Sequence, residues 1–306
     1  MKKTIVLTLI VSFLMLTVAG CGSNAANSTD KSSSTTTEET KKEATVIEVP
    51  LKIGKVQVYD FGDVKLHAYA TNDALNDECY IVENKDNLVG IEIPAFTDNL
   101  NEWKDYIKSL NKPMNDILID NHNTGGDYLT GMNVYATENA KAAIEGGATL
   151  ATMQGLAQSI GTAFDSNVAK ITKILSAGSQ TIAGTEFMIT DNGDTYTIEI
   201  PEMNAVYTHM LGEKVHSILV SNEMMDATIA TLNEYQSKGY DLILSSHAAP
   251  ETQAAVVAKI AYIEKAKELA KSSADAKIFT EAMSKAFPDY AGANYLDMTA
   301  GFLYQK

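Results

Sequence analysis

The sequence predicts an α/β chain folded as a four-layer α/β/β/α sandwich, and three observations lead there. Its two halves repeat one grammar: several strands, an amphipathic helix, a buried apolar strand, then a polar loop. The buried strands "NDILID" and "DLILSS" both run into a histidine-bearing loop, and the tail is helical, so each sheet has helices to cover its outer face. From residue 48 onward the prolines are few and well spread, with no second tether, which fits one domain over 48–306.

Taken in order, Lys2 and Lys3 precede an apolar run, Thr4 to Val18, too short to span a bilayer, so residues 1–20 read as a secretory signal peptide. That run ends in "LTVAGC", which resembles a bacterial lipobox. The resemblance implies cleavage before Cys21, lipidation of its thiol, and a lipoprotein held by this membrane anchor on the extracytoplasmic face of the cell membrane. Residues 21–47 carry the lipidated Cys and a Ser/Thr/Lys/Glu-rich stretch that buries too little apolar surface to offset its ordering entropy, so a disordered tether is expected.

"KVQVYDF", "KLHAYA", "CYIVEN" and "LVGIEI" then follow one another with Asn, Asp and Gly between them, as antiparallel strands do. Pro94 ends that pattern, and "TDNLNEWKDYIKSL" has helical spacing with Thr97 or Asp98 placed to cap it. The buried strand and its loop come next, then "MNVYAT", and a long Ala-rich helical segment to Phe164. "AKITKIL", "TEFMIT", "TYTIEIP" and "NAVYT" are strands, Ser221 to Lys238 is an amphipathic helix, and "DLILSS" ends at His247. From Pro250 the chain is helical, with breaks at Ser272, Pro288 and Gly292.

The formal net charge is −15, and every basic residue is lysine. An acidic surface without one guanidinium argues against nucleic acid and against ligands held by Arg forks. The expected partners are instead the membrane, through Cys21, and a small molecule or an envelope protein. With Cys21 acylated, Cys79 has no disulfide partner and reads as a small buried hydrophobe.

"CYIVENKDNLVGIEI", "LNKPMNDILIDNHNTGGDYLTG", "VYATENA", "TYTIEIPEMNAVYTHML" and "GYDLILSSHAAPET" together resemble, in order and spacing, the landmarks of the metallo-β-lactamase superfamily. The resemblance implies that fold, and a hydrolase whose dinuclear site is built on H-x-H-x-D-H. Laid on this chain, the motif's histidines and aspartate fall on Asn121, Asn123, Gly125 and Gly126, so none matches. No histidine lies between His122 and His209, the bridging aspartate falls on Met210, and the last histidine survives as His247. On this reading the dinuclear metal site is largely lost and no cofactor is favoured, which points to a non-catalytic binding or accessory module.

An alternative keeps the chemistry. His122, His209 and His247 lie in loops that this fold brings to one edge, and with Asp127 they form a sufficient set for one divalent metal, whether zinc, manganese or iron. The chain would then be a divergent metal-dependent hydrolase of the ester, lactone or thioester type. Against it, His122 is one residue out of phase with the superfamily's ligands, which on an extended segment turns a side chain to the opposite face. The candidate cleft comprises Asn121, His122, Asn123, Asp127, Tyr128, His209, Met210 and His247, with Tyr207 at its edge. His67 and His216 read as strand histidines, and Ser245 and Ser246 lack a nucleophile elbow.

Overall fold

The computed structural model describes residues 44–209 and 211–304; the signal peptide, Cys21, most of the tether and Met210 lie outside the described residues. The chain opens with five antiparallel strands: β1 (Thr45–Pro50), β2 (Lys55–Asp60), β3 (Lys65–Ala70), β4 (Glu78–Glu83) and β5 (Leu88–Ile91). β1 starts inside the stretch read as tether, because "TVIEVP" pairs along its length with β2.

Helix α1 (Thr97–Ser109) follows, burying Leu100, Trp103, Tyr106 and Ile107. Neither Thr97 nor Asp98 caps it. The N-cap position is Phe96, with no side-chain bond, and the Thr97 N–H donates to the Ala163 carbonyl instead. A neighbouring loop thus satisfies a donor that a cap would have taken.

Parallel strands β6 (Met114–Leu118) and β7 (Asn133–Thr137) extend the sheet beyond β5. The Ala-rich segment forms two helices, α2 (Glu138–Gly146) and α3 (Ala148–Ile160), split at Gly147, before β8 (Lys173–Leu175) closes an eight-stranded sheet. The second sheet has six strands in the order β14-β13-β12-β11-β10-β9. These are β9 (Gly178–Ile182), β10 (Thr185–Asp191), β11 (Tyr196–Ile200), β12 (Ala205–Tyr207), β13 (Leu242–Ser245) and β14 (Ala248–Glu251).

Between β12 and β13 runs α4 (Asn222–Lys238), capped by Ser221, whose Oγ accepts from the Met224 N–H, and closed by Gly239 at φ 65°. Helices α5 (Gln253–Ser272), α6 (Ala276–Ala286) and α7 (Ala293–Leu303) complete the chain. Pro250 and Glu251, expected to begin the helical tail, belong to the edge strand β14 instead.

Two large cores hold these layers, and a small third cluster packs Met153 of α3 with Ala95, Phe96 and Phe164. The larger joins both sheets and α1 through residues such as Tyr80, Ile91, Trp103, Ile198 and Tyr207. The smaller packs Val206 and Ile243, from the other face of the second sheet, against α4 to α7 through Met225, Tyr262 and Phe279. Successive side chains on a strand point to opposite faces, so β12 serves both cores with Val206 and Tyr207. The α/β/β/α layering expected from the sequence is the one observed. Among the described residues no helix is long and apolar enough to cross a membrane.

Candidate metal centre

β6, β12 and β13 all end at one rim of the sandwich, and each delivers a histidine there. His122 follows β6, His209 follows β12, and His247 sits in the turn from β13 to β14. β4 runs antiparallel to its neighbours, so its start, at Asp77, comes to the same rim.

The three imidazoles face one another. One ring nitrogen from each lies within 4.8 Å of the others, and ring centroids are 5.6 Å (His122–His209), 5.1 Å (His122–His247) and 5.0 Å (His209–His247) apart. Asp77, 1% exposed, borders the group: its Oδ1 is 3.3 Å from His247 Nδ1 and 3.8 Å from His122 Nε2, and neither contact has hydrogen-bond geometry.

Unsatisfied polar groups concentrate here. Of ten buried side-chain nitrogen and oxygen atoms without a hydrogen-bond partner among the described residues, six belong to Asp77, Glu78, His122, His209 and Ser245. A folded protein rarely leaves such atoms bare, each costing about 1–3 kcal/mol. Their clustering marks a place prepared for something with charge to share.

Glu92 holds the rim together. It is fully buried at the end of β5, in a left-handed conformation (φ 61°) unusual for a side-chain-bearing residue. Its Oε1 accepts from the Asp120 N–H (3.1 Å), the Asn121 N–H (2.9 Å) and the Tyr207 hydroxyl (2.7 Å), and its Oε2 from the His122 N–H (2.9 Å). The Tyr207 hydroxyl is also 2.7 Å from Ser246 Oγ, and the Ser246 N–H donates to the His209 carbonyl. One carboxylate thereby ties the loops of all three histidines.

The electrostatics suit a cation. Burial, reinforced by His122 and His247, holds His209 well below the usual imidazole range, so it is neutral and free to give its lone pair. Burial opposes the charge on Asp77, yet His122 and His247 outweigh it and lower the carboxyl. Burial likewise works against protonated His247, but Asp77 raises it above the ordinary value. Next door, burial lifts Glu78 to about 8, against the pull of Lys55.

Some sequence-predicted site residues are elsewhere. Asp127, the expected acid ligand, is exposed in a turn and outside the histidine group; Asp77 takes that place. Asn123 is buried and its amide donates to the Ile144 carbonyl, while Asn121 donates to Asp120 Oδ2. Tyr128 packs on Trp103 of α1, with the Lys104 amine over its ring. Tyr207 lies beneath the rim, in the core.

The phase argument against His122 fails for a physical reason: regular strand geometry stops at Leu118, so the period-two rule no longer applies four residues later. The two glycines serve packing. A Cβ on Gly125 (φ 70°) would lie 2.3 Å from Ile93 Cδ1, and one on Gly126 2.2 Å from the Val168 carbonyl oxygen. His67, on β3 as expected, and His216, in an irregular segment and not the expected strand, are buried apart from the site, bonded to Tyr106 and Glu83 and to Tyr262 respectively. Cys79 is fully buried and free.

Sequence reasoning missed Asp77, Glu78 and Glu92. Only Glu92 left a trace, as an acid inside the otherwise apolar "LVGIEIP", where a buried carboxylate must find donors.

No protein-family model and no curated protein matches the sequence. Solved structures do. A metallo-β-lactamase family protein from Thermus thermophilus superposes with TM-score 0.56 at 13% identity, over 79% of this chain and 91% of that one. A stereoselective inverting sec-alkylsulfatase from a Pseudomonas species gives TM-score 0.53 at 14% identity, over 78% of this chain. This chain spans 48% of the sulfatase's length.

Proposed function

We propose, for a chain with the metallo-β-lactamase fold, that it is a divergent metal-dependent hydrolase of the ester, lactone or thioester class. A single divalent ion would be held by His122, His209 and His247, with Asp77 beside them. The observation that carries this reading is the convergence of three imidazoles whose donor atoms lie within 4.8 Å, two of them with a buried, unpartnered ring nitrogen. In a metal-free cleft those atoms would be a standing cost with no return.

Three imidazoles match the protein ligand count of a catalytic zinc site, and the neighbouring acid suits manganese or iron as well. Holding one ion would require these three nitrogens to draw somewhat closer together. His122 and His209 have no side-chain hydrogen bonds to resist that small closure. Among the described residues no second group of three donors converges: Gly125 and Gly126 occupy two of the superfamily's ligand positions, and Asn123 is turned to Ile144. The geometry therefore favours the one-metal alternative over the metal-free module.

When bound, such an ion acidifies water and polarises a carbonyl oxygen. The chain's own contribution is to keep His209 neutral, to place the buried negative charge of Asp77 beside the ligands, and to fix the three loops through Glu92. Glu92 acts on the backbone that carries the histidines and touches none of their rings.

The same reading includes lipidation at Cys21 and anchorage at the outer face of the membrane, supported by "LTVAGC" and the Ser/Thr-rich stretch behind it. Elemental analysis of the purified domain tests the metal centre. About one equivalent of zinc, manganese or iron is expected, with ester or thioester turnover that a chelator abolishes and the ion restores. Metal-free protein with chelator-insensitive silence across ester, lactone and thioester panels would return the chain to the binding-module reading.

A further inference from the structure

Two pockets meet at the metal centre and share Asn76 and His247 as a common wall. The larger, about 370 Å³, is lined further by Gly54, Lys55, Asn72, Asp77 and Glu78. The smaller, about 260 Å³, lies towards the start of α7 and is lined by Leu75, Leu211, Ser245, Asn294 and Tyr295, with no acidic or lysine side chain. A molecule positioned at His247 thus has room on both sides, and the two sides differ in chemistry.

In the larger pocket Glu78 is 3% exposed, and its Oε1 has no hydrogen-bond partner. The one cation there, Lys55, is already matched: its amine is 2.7 Å from Glu48 Oε2. The buried acids in this pocket are Asp77 and Glu78, and an unpartnered carboxyl oxygen of Glu78 is open to a donor. In the smaller pocket Ser245 Oγ is likewise buried and unpartnered, among uncharged groups.

We propose that the substrate has two arms flanking its cleavable bond, one ending in an uncharged or cationic hydrogen-bond donor, an amine or hydroxyl, that binds Glu78 in the larger pocket. The other arm is neutral and fills the pocket beside Ser245 and Tyr295. This inference rests on the hydrolase reading for the bond that is cleaved, but the recognition by Glu78 does not require the ion. An amine adds a positive charge beside the two buried acids; a hydroxyl supplies the donor alone. Carboxylate, phosphate and sulfate arms meet the buried negative charge of Asp77 and are disfavoured.

Four uncleavable probes of equal length separate these cases: N-(3-aminopropyl)acetamide, N-(3-hydroxypropyl)acetamide, N-butylacetamide and 4-acetamidobutanoate. Their binding is measured by calorimetry or protein-observed NMR on the folded protein, both chelator-treated and metal-loaded. The amine or hydroxyl probe is expected to bind about tenfold or more tighter than the butyl probe, a difference of about 1.4 kcal/mol, with the carboxylate weakest. Which of the two donors leads identifies the head group.

Glu78→Leu should erase the advantage of the donor probes while leaving the metal content unchanged, and Ser245→Ala should weaken all four alike. Equal binding of butyl and donor probes, tightest binding of the carboxylate, or a donor-probe advantage that survives unchanged in Glu78→Leu would overturn the proposal. A protein that takes up no metal yet ranks the probes as expected would sink the hydrolase reading and leave Glu78's role intact.

Discussion

A bound ion stabilises only the folded chain, so the three-histidine site has a thermal signature whose size follows from the structure. At an ion concentration one hundred times the dissociation constant, binding adds about 2.7 kcal/mol. For a domain of this size each kcal/mol moves Tm by roughly 2–4 °C, which predicts a rise of about 5–11 °C. Replacing His247 by Ala removes a direct donor. Loss of outer groups alone costs 10–100-fold in affinity, so a donor should cost at least about 100-fold. At the same ion concentration the variant would gain about 0.4 kcal/mol, or roughly 1 °C. Asp127→Asn, altering an exposed residue outside the group, should keep the full increment. Differential scanning fluorimetry with zinc or manganese added to chelator-treated protein reads all three. A wild-type Tm indifferent to every divalent ion, or a His247→Ala variant that keeps the whole rise, would refute the reasoning.

Three further outcomes follow from individual residues. Glu92→Gln leaves at least one of the four donors around the carboxylate without an acceptor, so denaturant unfolding should show a loss of about 1–3 kcal/mol together with weaker metal binding; unchanged stability would contradict its role at the rim. Gly126→Ala pushes a methyl group to within 2.2 Å of the Val168 carbonyl oxygen and should cost about 2–4 kcal/mol by the same measurement, as overpacking against backbone does.

Burial lowers Lys259 from 10.5 to about 8 in the folded state, where its amine donates to the Val215 carbonyl and Ser217 Oγ. The penalty for the charged amine is therefore fully present below about pH 8 and fades as pH rises to 10.5. Relative to Lys259→Met, the wild type should gain up to about 3 kcal/mol across that window; a flat difference in paired urea titrations would oppose this.

The fold was legible because burial writes itself into sequence. Apolar runs such as "ILI" at the end of β6 and just beyond it, and "LIL" in β13, sit in the core of a sandwich whichever loops they serve, and Ser221 and Gly239 bracket α4 with ordinary cap chemistry. Half of the site was legible for the same reason: β6, β12 and β13 end at one rim, so their histidines had to be neighbours. What was not legible depends on where irregular backbone points. Asp77 belongs to "NDALNDECY", a polar loop without periodicity, and only the antiparallel direction of β4 carries it to the histidines. Asp127, five residues from His122, looked the better acid until the turn after Gly126 exposed it. The loss of every superfamily ligand but His247 pointed to a metal-free cleft, and strand alternation was held against His122 in a segment that has already left the strand.

The central claim is that three imidazoles of this chain share one ion, and X-ray absorption at the metal edge of the loaded protein addresses it without reference to any substrate. The account predicts a first shell with three imidazole nitrogens at about 2.0–2.1 Å for zinc, falling to two in a His209→Ala variant. A shell made of water and carboxylate oxygens, unchanged by that substitution, would contradict it.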